Sequence, residues 1–292
     1  MRRLLVISLF IACTKNAPTN ADAAPDASAS RPASASSSAS TPASDADADL
    51  DAADAQPEEL DYEAEDAGPS FYAPGPVGSA TTMTHAGAPS TRYAALDQSA
   101  CEAELKKRAI VFVRGAPTEG VREPVRLHGP LHGISIHSML AVAQREKSAS
   151  EIFDCRLVLA VDDFSAILAR HDVVEMTHFS AYRSQKNGGC TPKHAGKQHC
   201  AGLAVDVATF KKKDGTTLDV KRDFGGQVGI ATCGPGAKPI KPSAPQVELW
   251  GLACEAASRG IFNVILTPNF NAQHENHVHL EVTTEASWIL VH

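Results

Sequence analysis

Two short stretches far apart in the chain have strand-like alternation with ligating side chains on one face only. In Leu203-Ala204-Val205-Asp206-Val207-Ala208, successive side chains of a strand point to opposite faces. Leu203, Val205 and Val207 then face one way, and Ala204, Asp206 and Ala208 the other. A carboxylate flanked by two alanines has space around it, which suits a ligand pocket better than a packed core. Gly202 permits a tight backbone turn into this strand, and His199 lies in that turn. In Glu275-Asn276-His277-Val278-His279 and its continuation, His277, His279 and Glu281 share one face, and Val278, Leu280 and Val282 the opposite one. Histidines two apart on a strand are separated by about 6.5–7 Å. One can bind a metal while the other stands over the metal's water. Imidazole and carboxylate oxygen are ordinary Zn²⁺ ligands, and catalytic zinc keeps three protein ligands and one open position. His199, Asp206 and His279 are therefore the expected zinc ligands, and His277 the expected general base.

The N-terminal third cannot carry this fold. Met1-Arg2-Arg3 is a basic start, and Leu4 to Ala12 is an apolar run too short to span a bilayer as a mature helix. Cys13 follows Leu9-Phe10-Ile11-Ala12, a pattern similar to a bacterial lipoprotein signal. The expectation is a signal over residues 1–12, lipid on Cys13, and an exported, membrane-anchored protein in the cell envelope, facing the periplasm or the wall. Residues 13–96 are dominated by Ala, Ser, Pro, Asp and Glu. Such a segment buries too little apolar surface to offset its ordering entropy. It reads as a disordered acidic linker, and about 80 residues of coil span roughly 50 Å. That reach lets an anchored domain meet a neighbouring layer such as the cell wall.

Residues 97–292 are long enough for a sizeable core. Of the seven cysteines, six remain beyond Cys13, an even number that suggests disulfides in an exported domain. Six cysteines allow 15 pairings. The working expectation is Cys190–Cys200, Cys233–Cys254 and Cys101–Cys155. No C-x-x-C pair is present, which speaks against cysteine ligation of zinc. Helices are expected over Gln98 to Arg108, Cys155 to Arg170 (from the spacing of Leu157, Val161, Phe164 and Leu168) and from Ser243 to Gly260. Strands are expected over Ile110 to Val113, Val173 to Tyr182, Leu203 to Phe210, Thr217 to Val220, Ile261 to Leu266 and His277 to Val282. Strands and helices without regular alternation imply an α+β domain, with a small, mostly antiparallel sheet and flanking helices.

The run H-x-x-G-x-A-x-D from His199 to Asp206, followed by H-x-H at His277 and His279, resembles the extensin-like C-terminal domain family. Through it the chain is similar to a wider group of D-alanyl-D-alanine carboxypeptidases, hedgehog domains and lysostaphin-type peptidases. Phe179-Ser180-Ala181-Tyr182-Arg183-Ser184 resembles the family's Y-x-R or Y-R-S segment, and Ala204 to Phe210 running into Asp214-Gly215 resembles another of its runs. The resemblance covers roughly Cys101 to His292. It implies a Zn²⁺ cofactor and a peptidase acting on peptidoglycan peptides, a D,D-carboxypeptidase or endopeptidase in which zinc-bound water attacks an amide. It also implies a substrate-binding or oxyanion-countering role for Arg183, whose guanidinium can hold a carboxylate bidentately. The alternative is a non-catalytic, zinc-containing module that binds the cell wall or serves a structural role. Members of the wider group often carry a glutamate three residues before the last zinc histidine, where this chain has Asn276. His274 and Glu275 are the candidates for supporting the ligands from behind. A nucleic-acid partner is not expected, because the net charge of −7 offers no basic field.

Overall fold

The structure, a computed structural model, describes residues 81–84, 87–184 and 196–292. The expected signal, Cys13, most of the linker, Cys190 and His194 lie outside the described residues. In chain order the elements are β1 (Thr81–Thr84), α1 (Pro89–Ala94), α2 (Gln98–Lys107), β2 (Phe112–Arg114), β3 (Pro124–Leu127), β4 (Ser135–Ser138), α3 (Val142–Arg145), β5 (Phe153–Asp154) and α4 (Cys155–Arg170). They continue with β6 (Val173–His178), β7 (Ala204–Lys212), β8 (Thr217–Asp219), α5 (Val220–Asp223), α6 (Ala244–Ser258), β9 (Val264–Leu266), β10 (Val278–Glu281) and β11 (Trp288–Val291).

The domain is α+β, but its main sheet is larger than expected. Eight strands are ordered β1-β11-β9-β10-β7-β6-β4, with β8 beside the far half of β7. The β11–β9 and β4–β6 pairs are parallel and the others antiparallel. Strands β2, β3 and β5 form a separate antiparallel sheet. Strands β1, β4 and β11 have four residues each and pair with segments distant in sequence or across a parallel crossover. At four residues each they are short for a periodic pattern to show, although β11, Trp288–Val291, does carry residues that favour a strand.

Helix α4 is the centre of the core. Its sequence spacing predicts one apolar face, yet Leu157, Val158, Leu159, Ala160, Val161, Phe164, Ile167 and Leu168 are each at most 2 % exposed. The helix is covered on most sides; only Asp163, Ala166, Ala169 and Arg170 along it keep some exposure. Toward the sheet, Phe164 packs edge-on against Phe210 of β7 and Phe262, with ring centroids 6.3 and 5.8 Å apart. Its other flanks meet α1, α2 and α6. Tyr93 of α1 donates to Asp163 Oδ2 at 2.5 Å and accepts from Arg108 Nη2 at 2.7 Å. This contact with α4 holds a helix before residue 97, inside the segment read as linker. Composition alone conceals a six-residue helix whose order comes from packing.

Two of the expected disulfides are present. Cys101–Cys155 ties α2 to the first residue of α4, and Cys233–Cys254 ties a loop to α6. They span 54 and 21 residues. On the chain-entropy account such loops contribute about 4 and about 3 kcal/mol. The third expected pair includes Cys190, outside the described residues.

Strand β7 positions the site. Its first half pairs with β10, and its second half with β8 along the same edge. On the other side, β6 shows a register shift between Thr177 and His178, so Ala208 is an extra residue on β7. Strict alternation would put Phe210 on the Asp206 face. The bulge reverses the faces, so Val205, Val207 and Phe210 all join the core while Asp206 points away from it.

A buried acid lies beside Asp154. Glu123 is 1 % exposed and neither carboxylate oxygen has a hydrogen-bond partner; Arg122 Nε is 3.7 Å away. Burial, with Asp154 adding to it, pushes the Glu123 pKa from 4.5 up to about 7. The folded value lies above the unfolded one. Its contribution to stability is therefore complete below pH 4.5 and lost as pH rises through about 7. Glu123→Gln is expected to raise the melting temperature at pH 8 and to leave it near wild type at pH 4.5. Parallel melting curves of the two proteins at both pH values check this; an unchanged difference across pH would refute the assignment.

Candidate metal centre

Strands β7 and β10 run antiparallel with His279 opposite Asp206, so both side chains leave the same face. Asp206 Oδ1 lies 3.0 Å from His279 Nδ1. His199 arrives from a 3-10 turn, Gln198–Ala201, that Gly202 closes with a φ of 63°. A Cβ at position 202 would stand 2.9 Å from Asp154 N and 3.2 Å from Val121 Cγ1, so only glycine fits this turn. His199 Nε2 is then 3.1 Å from Asp206 Oδ1 and 3.2 Å from His279 Nδ1. All three residues are buried. Ligand atoms arranged tetrahedrally around zinc at 2.0–2.1 Å stand about 3.3 Å from one another, which matches these separations.

The hydrogen bonds behind the ligands set what the three atoms offer. His199 Nδ1 donates to the Ala181 carbonyl at 2.8 Å, which leaves a lone pair on Nε2. His279 Nε2 donates to Glu281 Oε2 at 3.1 Å, which leaves a lone pair on Nδ1. Asp206 contributes only acceptors. Three electron pairs this close repel unless a cation or a shared proton lies among them. Two imidazoles and a carboxylate are a donor set that suits zinc. Burial holds the His199 pKa well below its ordinary value, with Arg183 and His279 adding to the effect. The ring is therefore in the neutral form that a ligand needs.

His277 precedes β10, with Nε2 3.4 Å from Asp206 Oδ1. Its Nδ1 donates to Asn276 Oδ1 at 2.7 Å, so Nε2 carries the lone pair. Phe179 packs edge-on against the ring at 6.0 Å. Burial, then His279 and Arg183, lower the His277 pKa to about 3. Asn276 cannot serve as a base, but it orients the His277 imidazole. His274 lies beside His277, with ring centroids 4.9 Å apart, and donates through Nδ1 to Asn271 Oδ1 at 2.7 Å. Burial depresses its pKa to about 2, with His277 and His279 adding.

Arg183 reaches the cluster from solvent, its side chain 45 % exposed. Nη2 donates to Asp206 Oδ2 and, at 3.2 Å, to His199 Nε2; Nε donates to Ser180 Oγ at 2.9 Å. Glu275 departs from expectation. Strand alternation does not extend back to it, because β10 begins only at Val278 and the chain is still leaving a 3-10 turn over Ala272–His274. Its carboxylate points outward, 64 % exposed and 3.4 Å from Lys221 Nζ. Glu281 holds the supporting position instead, a role that only the H-x-H-x-E spacing hints at. A second cluster of metal-binding residue types, Cys101, Glu123 and Cys155, offers no thiolate because its cysteines are joined.

Fold and site together define an α+β domain with a buried two-histidine, one-carboxylate cluster on one sheet face. The chain belongs to the extensin-like family: the family model described as extensin-like protein C-terminus matches residues 99–291. Comparison with curated proteins and with solved structures gives no match, so the kinship established is with this family and not with the wider peptidase group.

Proposed function

We propose that the domain is a zinc-dependent peptidase acting on peptidoglycan peptides, of the D,D-carboxypeptidase or endopeptidase type. The observation that supports this reading is the convergence of His199 Nε2, Asp206 Oδ1 and His279 Nδ1 within 3.0–3.2 Å, with the outer histidine nitrogens already committed. Zinc held there would supply Lewis-acid polarisation of an amide carbonyl and acidify water near neutral pH. The chain's own residues divide the rest of the work. His277 Nε2 is positioned to take a proton and return it to a leaving amine. Arg183 is positioned to hold an acyl or terminal carboxylate group by exchanging Asp206 Oδ2 for the substrate. The same reading puts the protein in the cell envelope. A lipid on Cys13 would anchor it in a membrane, and the acidic linker would carry the domain to the wall.

A second reading is a zinc-containing module that binds a wall polymer without turnover. Asn276, at the position where the wider group often carries a glutamate, favours it. Mass spectrometry of purified peptidoglycan fragments incubated with the protein decides between the two. Loss of a terminal alanine or of a cross-link, stopped by a chelator and restored by zinc, is the expected result. Intact fragments in the presence of zinc-loaded protein would overturn the peptidase reading.

A further inference from the structure

We propose that Glu281 is a positioning residue of the metal centre, one carboxylate that orients His279 and docks the chain leading into His199. It is fully buried at 0 % exposure, on the same face of β10 as His279. Its Oε2 accepts from His279 Nε2 at 3.1 Å and from the Gln198 backbone N–H at 3.2 Å. Its Oε1 accepts from the Gly196 backbone N–H at 2.9 Å and from Thr283 Oγ1 at 2.6 Å. Four donors occupy the four lone-pair positions of the two oxygens. A buried carboxylate is costly without such donors, and with them it is held rigidly.

The arrangement serves two ligands at once. Through His279 Nε2 the carboxylate selects the tautomer that exposes Nδ1 to the cluster and raises its basicity. Through Gly196 and Gln198 it holds the backbone immediately before His199, whose own N–H groups need a partner inside the fold. The two ligands stand 80 residues apart in sequence and share this one anchor. An amide cannot replace it. A glutamine side chain at this position would present an NH₂ group to an environment made only of donors.

The inference rests on the metal reading and is independent of the peptidase chemistry. Its test is the zinc dissociation constant of the full chain and of Glu281→Gln, measured by competition with a chromophoric chelator, with circular dichroism of both metal-free proteins as a fold control. The variant is expected to bind zinc about 10–100-fold more weakly. Histidine ring nitrogen correlations in the wild-type protein add a readout that does not depend on the variant folding, and they should place the His279 proton on Nε2. Affinity within twofold of wild type, or a proton on Nδ1 in the zinc-loaded protein, overturns the role of Glu281 alone. A wild-type protein that takes up no zinc overturns the metal reading, and this inference falls with it.

Discussion

His279→Ala is expected to abolish tight zinc binding. The imidazole supplies one of three inward-facing donors, and its removal leaves His199 Nε2 and Asp206 Oδ1, 3.1 Å apart, as the remaining pair. It also takes a donor from Glu281 Oε2, so the anchor of the Gln198 backbone loses half of what that oxygen holds. Two ligands without the third do not hold zinc against a chelator. The loss should exceed the roughly 100-fold that removing an outer hydrogen-bond partner costs. Metal content per chain after dialysis, by elemental mass spectrometry, checks this. One retained zinc per chain would remove His279 from the ligand set.

His277→Ala separates metal binding from chemistry. The ring is not one of the three converging donors, and its Nε2 stands 3.4 Å from Asp206 Oδ1 with a lone pair held inward by the Nδ1 bond to Asn276. The variant is expected to keep one zinc and to lose about 10²–10⁴-fold in the rate of peptide hydrolysis, the usual worth of a positioned proton acceptor. Zinc content and turnover on the same preparation make the test. If zinc is lost along with activity, His277 belongs among the ligands and the roles within H-x-H must be exchanged. If zinc and turnover both persist, the proton acceptor lies elsewhere, with His274, its ring centroid 4.9 Å away, the next candidate. Taken together, the two substitutions separate a ligand from a base, which distance alone does not do when four nitrogen and oxygen atoms crowd one spot.

The strand faces were legible because side-chain alternation is a local property. Asp206 against Val205 and Val207, and His277 and His279 against Val278 and Leu280, needed no tertiary information. Helix α4 was legible in its limits, Cys155–Arg170, because a run that long has few other ways to satisfy its spacing. Its burial beyond that face was not, because spacing reports only the face that most needs covering. Glu275 shows where periodicity stops: it predicts a face only while the strand continues, and β10 begins three residues later. The helix over Pro89–Ala94 was hidden for a related reason. Its order derives from Tyr93 meeting Asp163 and Arg108, contacts of 70 and 15 residues' separation.

The sequence by itself determined the ligating residue types, their faces on each strand, and the glycine turn that delivers His199. These follow from backbone geometry within a few residues. Only the tertiary structure decided that His279 stands opposite Asp206 across 73 residues, that Arg183 turns onto Asp206, and that Glu281 rather than Glu275 supports the cluster. Register, the bulge at Ala208 and the choice of hydrogen-bond partner depend on which strands become neighbours. That choice is made by burial of the whole core and is not encoded in any one segment.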